Sequence, residues 1–301
     1  MQTSPNQRSR RHRPIQGEPE LLMPVWLSRL VVGLLVVSVI VPAGYMLLLS
    51  LTPNQDVALG TISFAALDFR NYVDMWSAAP IASGLVHTLI IAGAAAALSV
   101  VVGLLAAYPL TRFSFFGRRP YLYTLIAVQT VPSATLVLPL FAVLSWIQTV
   151  LSTTFIGSYW PIIITYMTFG IPLSTWLLVS YLRSVPRQLD EAALVDGCTR
   201  FGALWRVIFP IARPAAVVAF VFAFLVGWND VLFASVFTNQ STQTLAIVLQ
   251  RFSASTAVAS MPLYGELMSA AVVSSIPVVV LYLLCQRYLV HGLSSGAVTG
   301  V

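Results

Sequence analysis

The chain carries sixteen basic residues, and every one of them is an arginine. A phosphate-cradling loop of the G-x-x-x-x-G-K-[ST] type needs a lysine, so this sequence has no such site for binding and hydrolysing ATP. Its histidines, His12, His87 and His291, are scattered, and Cys198 and Cys285 stand too far apart for a disulfide framework or a zinc site. No metal-ligand spacing appears, and no serine, histidine and aspartate lie close enough in sequence to suggest a triad. Covalent chemistry and a resident cofactor are therefore not expected of this chain. Two polar groupings stand out instead. Asp190, Glu191 and Asp196 cluster in an alanine-containing polar segment, and Trp228, Asn229 and Asp230 interrupt an apolar run.

The surroundings of these groups set what they can do. The chain has 301 residues, 58% of them hydrophobic and 9% charged, with a mean hydropathy of +0.86. A soluble domain carries about 25% charged residues. This much apolar surface does not fit inside one globular core, so lipid is the expected solvent.

Charges are rare enough that the gaps between them count the membrane spans. Between Arg119 and Arg183 the sequence holds no Asp, Glu, Lys or Arg. At ~20 residues per span that gap is two helices and an outer loop near 151–157. The same counting along the chain gives six spans, near 26–51, 84–111, 120–148, 158–182, 214–237 and 267–288. Fourteen of the sixteen arginines then fall on one side, leaving Arg70 and Arg251 on the other. By arginine bias this places both termini in the cytoplasm. The first apolar run is longer than a signal-peptide core, and no A-x-A-like site follows it. Residues 1–25, with RSRRHR, read as a disordered cytoplasmic tail that holds the N-terminus inside, not as a nucleic-acid site. The outer stretch 52–83 is long enough for a small structured cap, and Glu266 is expected at the outer start of span six. A carboxylate in a span is costly, so Asp230 is expected to face either a water-filled path or a partner group, or to lie near the outer interface.

Between spans four and five runs SVPRQLDEAALVDGCTRFGALWRVIFPIARP, Ser184 to Pro214. Pro186 suits a first helical position, Asp190 and Glu191 suit the positive end of a helix dipole, and Gly197 is a natural stop. Phe201, Leu204, Trp205 and Ile208 then repeat at i, i+3, i+4, i+7, the stripe of a second helix. Pro210 and Pro214 punctuate the approach to span five. Ala192 and Ala193 are small enough to let another surface approach closely, with Glu191 placed to pair with it. On the residues alone, an amphipathic loop lying on the membrane explains the segment equally well.

This segment resembles the EAA loop of ABC importer permeases, with Glu191, Ala192, Ala193, Gly197 and Pro210 at the matching positions. Leu182–Pro186 and Asp196 are similar to the carbohydrate-uptake branch. AAYPLTRFSFFGRR (106–119), VPSATLVLPLF (131–141) and GWNDVLF (227–233) resemble further stretches of that branch. The ending GLSSGAVTG (292–300) resembles the GAVKG terminus of the maltose-permease-like member of the permease pair. The sequence departs from the pattern at Cys198, His87 and Thr299.

The resemblance implies an all-α polytopic membrane protein, residues 26–300, with six transmembrane helices and a cytoplasmic helix–turn–helix coupling loop between spans four and five. It implies a multi-pass subunit in the plasma membrane, paired with a second homologous permease. Two copies of an ATPase subunit, which hold the ATP and magnesium, and an extracytoplasmic sugar-binding protein complete the expected assembly. Glu191, Ala192, Ala193, Asp196, Gly197 and Pro210 would form the ATPase-coupling loop. Trp228, Asn229 and Asp230 are candidates for the solute path. An ion-coupled secondary transporter is the alternative; it would need coupling-ion sites near midplane, where Asp230 is the clear charge.

Overall fold

The computed structural model describes residues 25–61, 67–258 and 262–297. The tail expected over 1–25 lies, except for Val25, outside the described residues, as does 298–300 of the C-terminal motif. All secondary structure among the described residues is helical. In lipid a chain must satisfy its own backbone groups, which helices do within each segment.

The chain divides into two compact units, 1–46 and 47–301. The first contains most of α1 (Val25–Ser50), a strongly apolar helix with Pro42 inside it. In the second, two short helices follow, α2 (Asn54–Ala58) and α3 (Asn71–Ala78), and then the 32-residue α4 (Ile81–Arg112). The cap expected over 52–83 thus contains structure. Asn71 donates to the carbonyls of Ser50 and Thr52, both at 3.0 Å, and Asn54 donates to Glu266 at 2.7 Å. Glu266 is buried and sits in the first turn of α13 (Tyr264–Ala297), so it ties that helix to the cap.

The centre of the second unit is α4 packed against α7 (Tyr159–Ser184). A Cβ placed on Gly103 would lie 2.9 Å from that of Ser174, and one on Gly170 would lie 2.5 Å from the Ser99 hydroxyl. These pairs, 99 with 170 and 103 with 174, show that the helices run parallel and nearly backbone to backbone. Small residues serve this purpose in membrane helices, where packing replaces hydrophobic drive. The third long helix, α10 (Phe209–Asn229), packs on both. Tyr181 of α7 donates to the Ile211 carbonyl at 3.1 Å near one end, and Gly227 meets the Tyr166 ring near the other.

Among the described residues, six helices are long and apolar enough to cross a membrane: Trp26–Ser50, Ile81–Arg112, Ser133–Leu151, Tyr159–Ser184, Arg200–Asn229 and Tyr264–Tyr288. Two spans differ from the sequence expectation. The segment expected to be one helix over 120–148 is two, α5 (Arg118–Thr130) and α6 (Ser133–Leu151). Pro132 disfavours helical backbone at the residue before it, and Val131 is extended, with ψ 125°. The segment expected over 214–237 begins far earlier and stops sooner. Helix α9 (Arg200–Ala203) continues through one π turn, Leu204–Ile208, directly into α10. Pro210 and Pro214 do not break it: the π turn ends just ahead of Pro210, where widened winding accommodates a residue that cannot donate a backbone hydrogen bond. The helix stops at Asp230, and a six-residue helix, α11 (Leu232–Phe237), follows; α12 (Leu245–Val258) then leads to α13.

Candidate functional site

The polar segment after α7 folds as two helices joined by a tight turn. Val185 is extended ahead of Pro186, and α8 (Gln188–Val195) starts beyond it. Helix α8 ends in a Schellman motif: the Cys198 N–H donates to the Ala193 carbonyl at 2.9 Å and the Gly197 N–H to Leu194 at 3.1 Å. The motif requires left-handed backbone at Gly197, whose φ is +84°. Thr199 then caps α9, its hydroxyl accepting from the Gly202 N–H at 3.1 Å.

A contact that sequence reasoning missed fixes this helix pair to the bundle. Arg112, the last residue of α4, places its Nε 2.7 Å from Asp190 Oδ2. The two side chains are 6% and 11% exposed. The same guanidinium donates to the Val185 carbonyl at 3.1 Å and, at longer range, to Leu182 at 3.4 Å. Arg187 returns a bond to the Thr111 carbonyl at 3.2 Å. The ends of α4 and α7 and the start of α8 are therefore locked together by one buried ion pair and its backbone bonds. Asp190 is thus a buried anchor, where the sequence showed only a carboxylate suited to a helix start.

The exposed face of the helix pair is equally defined. Glu191, Ala192, Asp196 and Gly197 are exposed. Ala193 is not: it is buried against its own chain, so of the two alanines Ala192 alone is open to another surface. The stripe of the second helix also splits. Leu204 and Ile208 are buried, while Phe201 is 64% exposed, as is Val195 at the end of α8 at 87%. Small, acidic and apolar side chains thus form one open surface around the turn. Pro210 lies within the continuous helix behind it, half-buried.

The second polar grouping sits where the two helix breaks meet. The α5–α6 break contributes Gln129 and Ser133, and the α10–α11 break contributes Asn229 and Asp230, to one cavity of about 370 Å³. Asp230 is heavily engaged. Its Oδ2 accepts from the Tyr166 hydroxyl and from the Ala234 N–H, each at 2.9 Å, and its Oδ1 from the Phe233 N–H at 3.4 Å. The carboxylate thus caps α11 and ties it to α7. Trp228 does not line this cavity. It is buried, stacked on Phe224 at 5.3 Å between ring centroids, within a core cluster that includes Met75 and Leu245. Gln129, Ser133 and Tyr166 are cavity residues that the sequence reading did not single out; the Pro132 break was the available signal.

Residues 99–295 match the family of binding-protein-dependent transport system inner membrane components. The chain belongs to this family. The permease is 31% identical over 271 residues to the sulfoquinovosyl glycerol transport system permease protein SmoH of Agrobacterium fabrum, covering 89% of this chain and 92% of that one. It is 32% identical to the trehalose transport system permease protein SugB of Mycobacterium tuberculosis, covering 91% and 96%. Its fold matches a chain in the crystal structure of a bacterial ABC transporter that imports the acidic polysaccharide alginate, with a TM-score of 0.72 at 19% identity, over 87% of this chain and 95% of that one. It is a transmembrane permease subunit of an ABC importer, a transport component and not an enzyme, and the ion-coupled alternative is set aside.

Proposed function

We propose that this permease, paired with a second homologous permease, forms the membrane path for a sugar or sugar-like solute as the maltose-permease-like member of the pair. Two copies of a separate ATPase, which hold ATP and magnesium, grip the open surface around Gly197 on the cytoplasmic side. An extracytoplasmic binding protein delivers the solute from the other side, and both termini of the permease are cytoplasmic. Relatives named for sugar uptake support the solute class. The observation that carries the coupling role is the buried Arg112–Asp190 pair beneath an exposed Glu191–Ala192–Gly197 surface. A lever transmits work only if its root is rigid. Here a push on α8 reaches α4 and α7 through an ion pair and backbone bonds, and α10 through a helix continuous from Arg200 to Asn229. ATP-driven closure of the ATPases would move that rigid unit and rock the path between inward- and outward-facing states. Binding energy that differs between those states is what drives the change.

The test is uptake of labelled sugar into vesicles carrying the whole importer and its binding protein. Uptake should require ATP and persist when ionophores collapse the proton and sodium gradients. Uptake that survives ATP depletion and fails with the ionophores would overturn the proposal.

A further inference from the structure

We propose that the cavity between the two helix breaks is a binding site for an electrically neutral polyhydroxylated solute, and that Gln129, Ser133 and Asn229 are its polar contacts; the inference rests on the carbohydrate reading and narrows it. Relatives are named for both neutral and acidic sugars, so family membership leaves the charge open.

The wall of the cavity addresses it. Among the described residues the Gln129 amide and the Ser133 hydroxyl have no hydrogen-bond partner, and Asn229 uses its amide N–H on the Leu225 carbonyl at 3.0 Å, leaving its side-chain oxygen open. These are neutral groups that both donate and accept, as hydroxyls do. Phe169, half-buried and backed at 5.4 Å between ring centroids by the buried Phe233, joins Leu173, Leu225 and Val226 in supplying the apolar part of the wall for the C–H face of a sugar ring. A mostly apolar cavity with a few convergent polar groups, in the ~300–1,000 Å³ range, is the usual form of a small-molecule site.

Charge then selects. Among the described residues, no arginine or histidine lines the cavity and Asp230 is its one carboxylate. An acidic sugar would meet that carboxylate in a partly desolvated space with no cation to offset it. A cationic solute would find a carboxylate whose oxygens already accept from Tyr166, Phe233 and Ala234. Asp230 and Tyr166 tie the start of α11 to α7 beside Asn229.

The experiment uses the assembled importer, this permease with its partner permease and ATPase subunits, with Cys198→Ser and Cys285→Ser and a reporter Val226→Cys on the cavity wall. Maleimide labelling of the reporter is timed with trehalose, maltose or raffinose as neutral probes, and with sulfoquinovosyl glycerol or an alginate trisaccharide as acidic ones. At least one neutral probe should slow labelling severalfold, and the acidic probes should not. Adding Gln129→Ala with Asn229→Ala should abolish the protection, read as the ratio of labelling rates with and without sugar in that variant. Equal or stronger protection by the acidic probes, protection that survives the double substitution, or no protection by any probe would each overturn the assignment. Sugar uptake by the same importer without the reporter keeps the two readings apart: uptake without cavity protection removes this site and leaves the carbohydrate reading, whereas failure of all sugar uptake removes the carbohydrate reading.

Discussion

Arg112 and Asp190 show how much of the site depends on a contact between residues far apart in sequence. Each is a charge largely out of water, and the pair is tolerable because each has the other and backbone carbonyls satisfy part of the guanidinium. Removing one partner of a buried pair leaves the other uncompensated, at a cost of about 3–5 kcal/mol. Arg112→Ala should therefore lower the thermal stability of the purified permease markedly and loosen the ATPase. The swapped pair, Arg112→Asp with Asp190→Arg, should recover part of the loss. Melting curves of the two variants and the parent decide it; a stable single variant would show that the anchor lies elsewhere. Gly197 is the opposite case, since its role was legible in sequence. A stop glycine after an alanine-containing helix predicts left-handed backbone, and φ is +84°. Among the described residues nothing lies within 4 Å of a Cβ added there, so Gly197→Ala should cost only the conformational term, about 1 kcal/mol. A melting point close to that of Arg112→Ala would contradict this.

The helices carry their own lesson about what a sequence displays. Apolar runs between charges marked where helices of spanning length lie, because lipid imposes length and composition together. Breaks and continuities were harder to read. Pro132 breaks the third span, whereas Pro210 and Pro214 leave the fifth continuous, and the difference is tertiary. Val131 is extended and exposed, with no core to hold the helix closed there, while the π turn before Pro210 packs Leu204 and Ile208 into the core. Ala193 is buried for a related reason that sequence does not display: helix periodicity places it on a face but does not reveal whether the chain itself covers that face. The α4–α7 contact gives a test at this scale. Gly170→Val would drive a side chain into Ser99, overpacking that costs about 1–3 kcal/mol and forces two long helices apart. The variant should insert into the membrane but unfold at lower temperature, and Ser99→Gly should partly rescue it. Unchanged melting would mean that the helices do not meet as closely as the structure has them.

At the scale of the whole molecule, the charge distribution and the fold agree on one feature. Helices α4 and α7 run parallel and finish together at Arg112 and Arg183, with the helix pair rooted at that same end. Reporter fusions after Arg119 and Arg187 should accordingly read cytoplasmic, and fusions near Gly157 and Arg251 external; an external reading at Arg187 would invert the account. The central claim is that the open surface around Gly197 is where the ATPase takes hold. Its most direct test is co-purification of the ATPase subunit with the permease carrying Val195→Glu or Gly197→Asp. Both positions are exposed and neither packs on the core, so both variants should insert and pair with the partner permease, Val195→Glu melting near the parent temperature and Gly197→Asp lower only by the left-handed backbone cost of about 1 kcal/mol. Both should lose most of the bound ATPase, and sugar uptake with it. Full ATPase recovery with both variants, at normal uptake, would contradict the claim and move the coupling joint elsewhere in the permease.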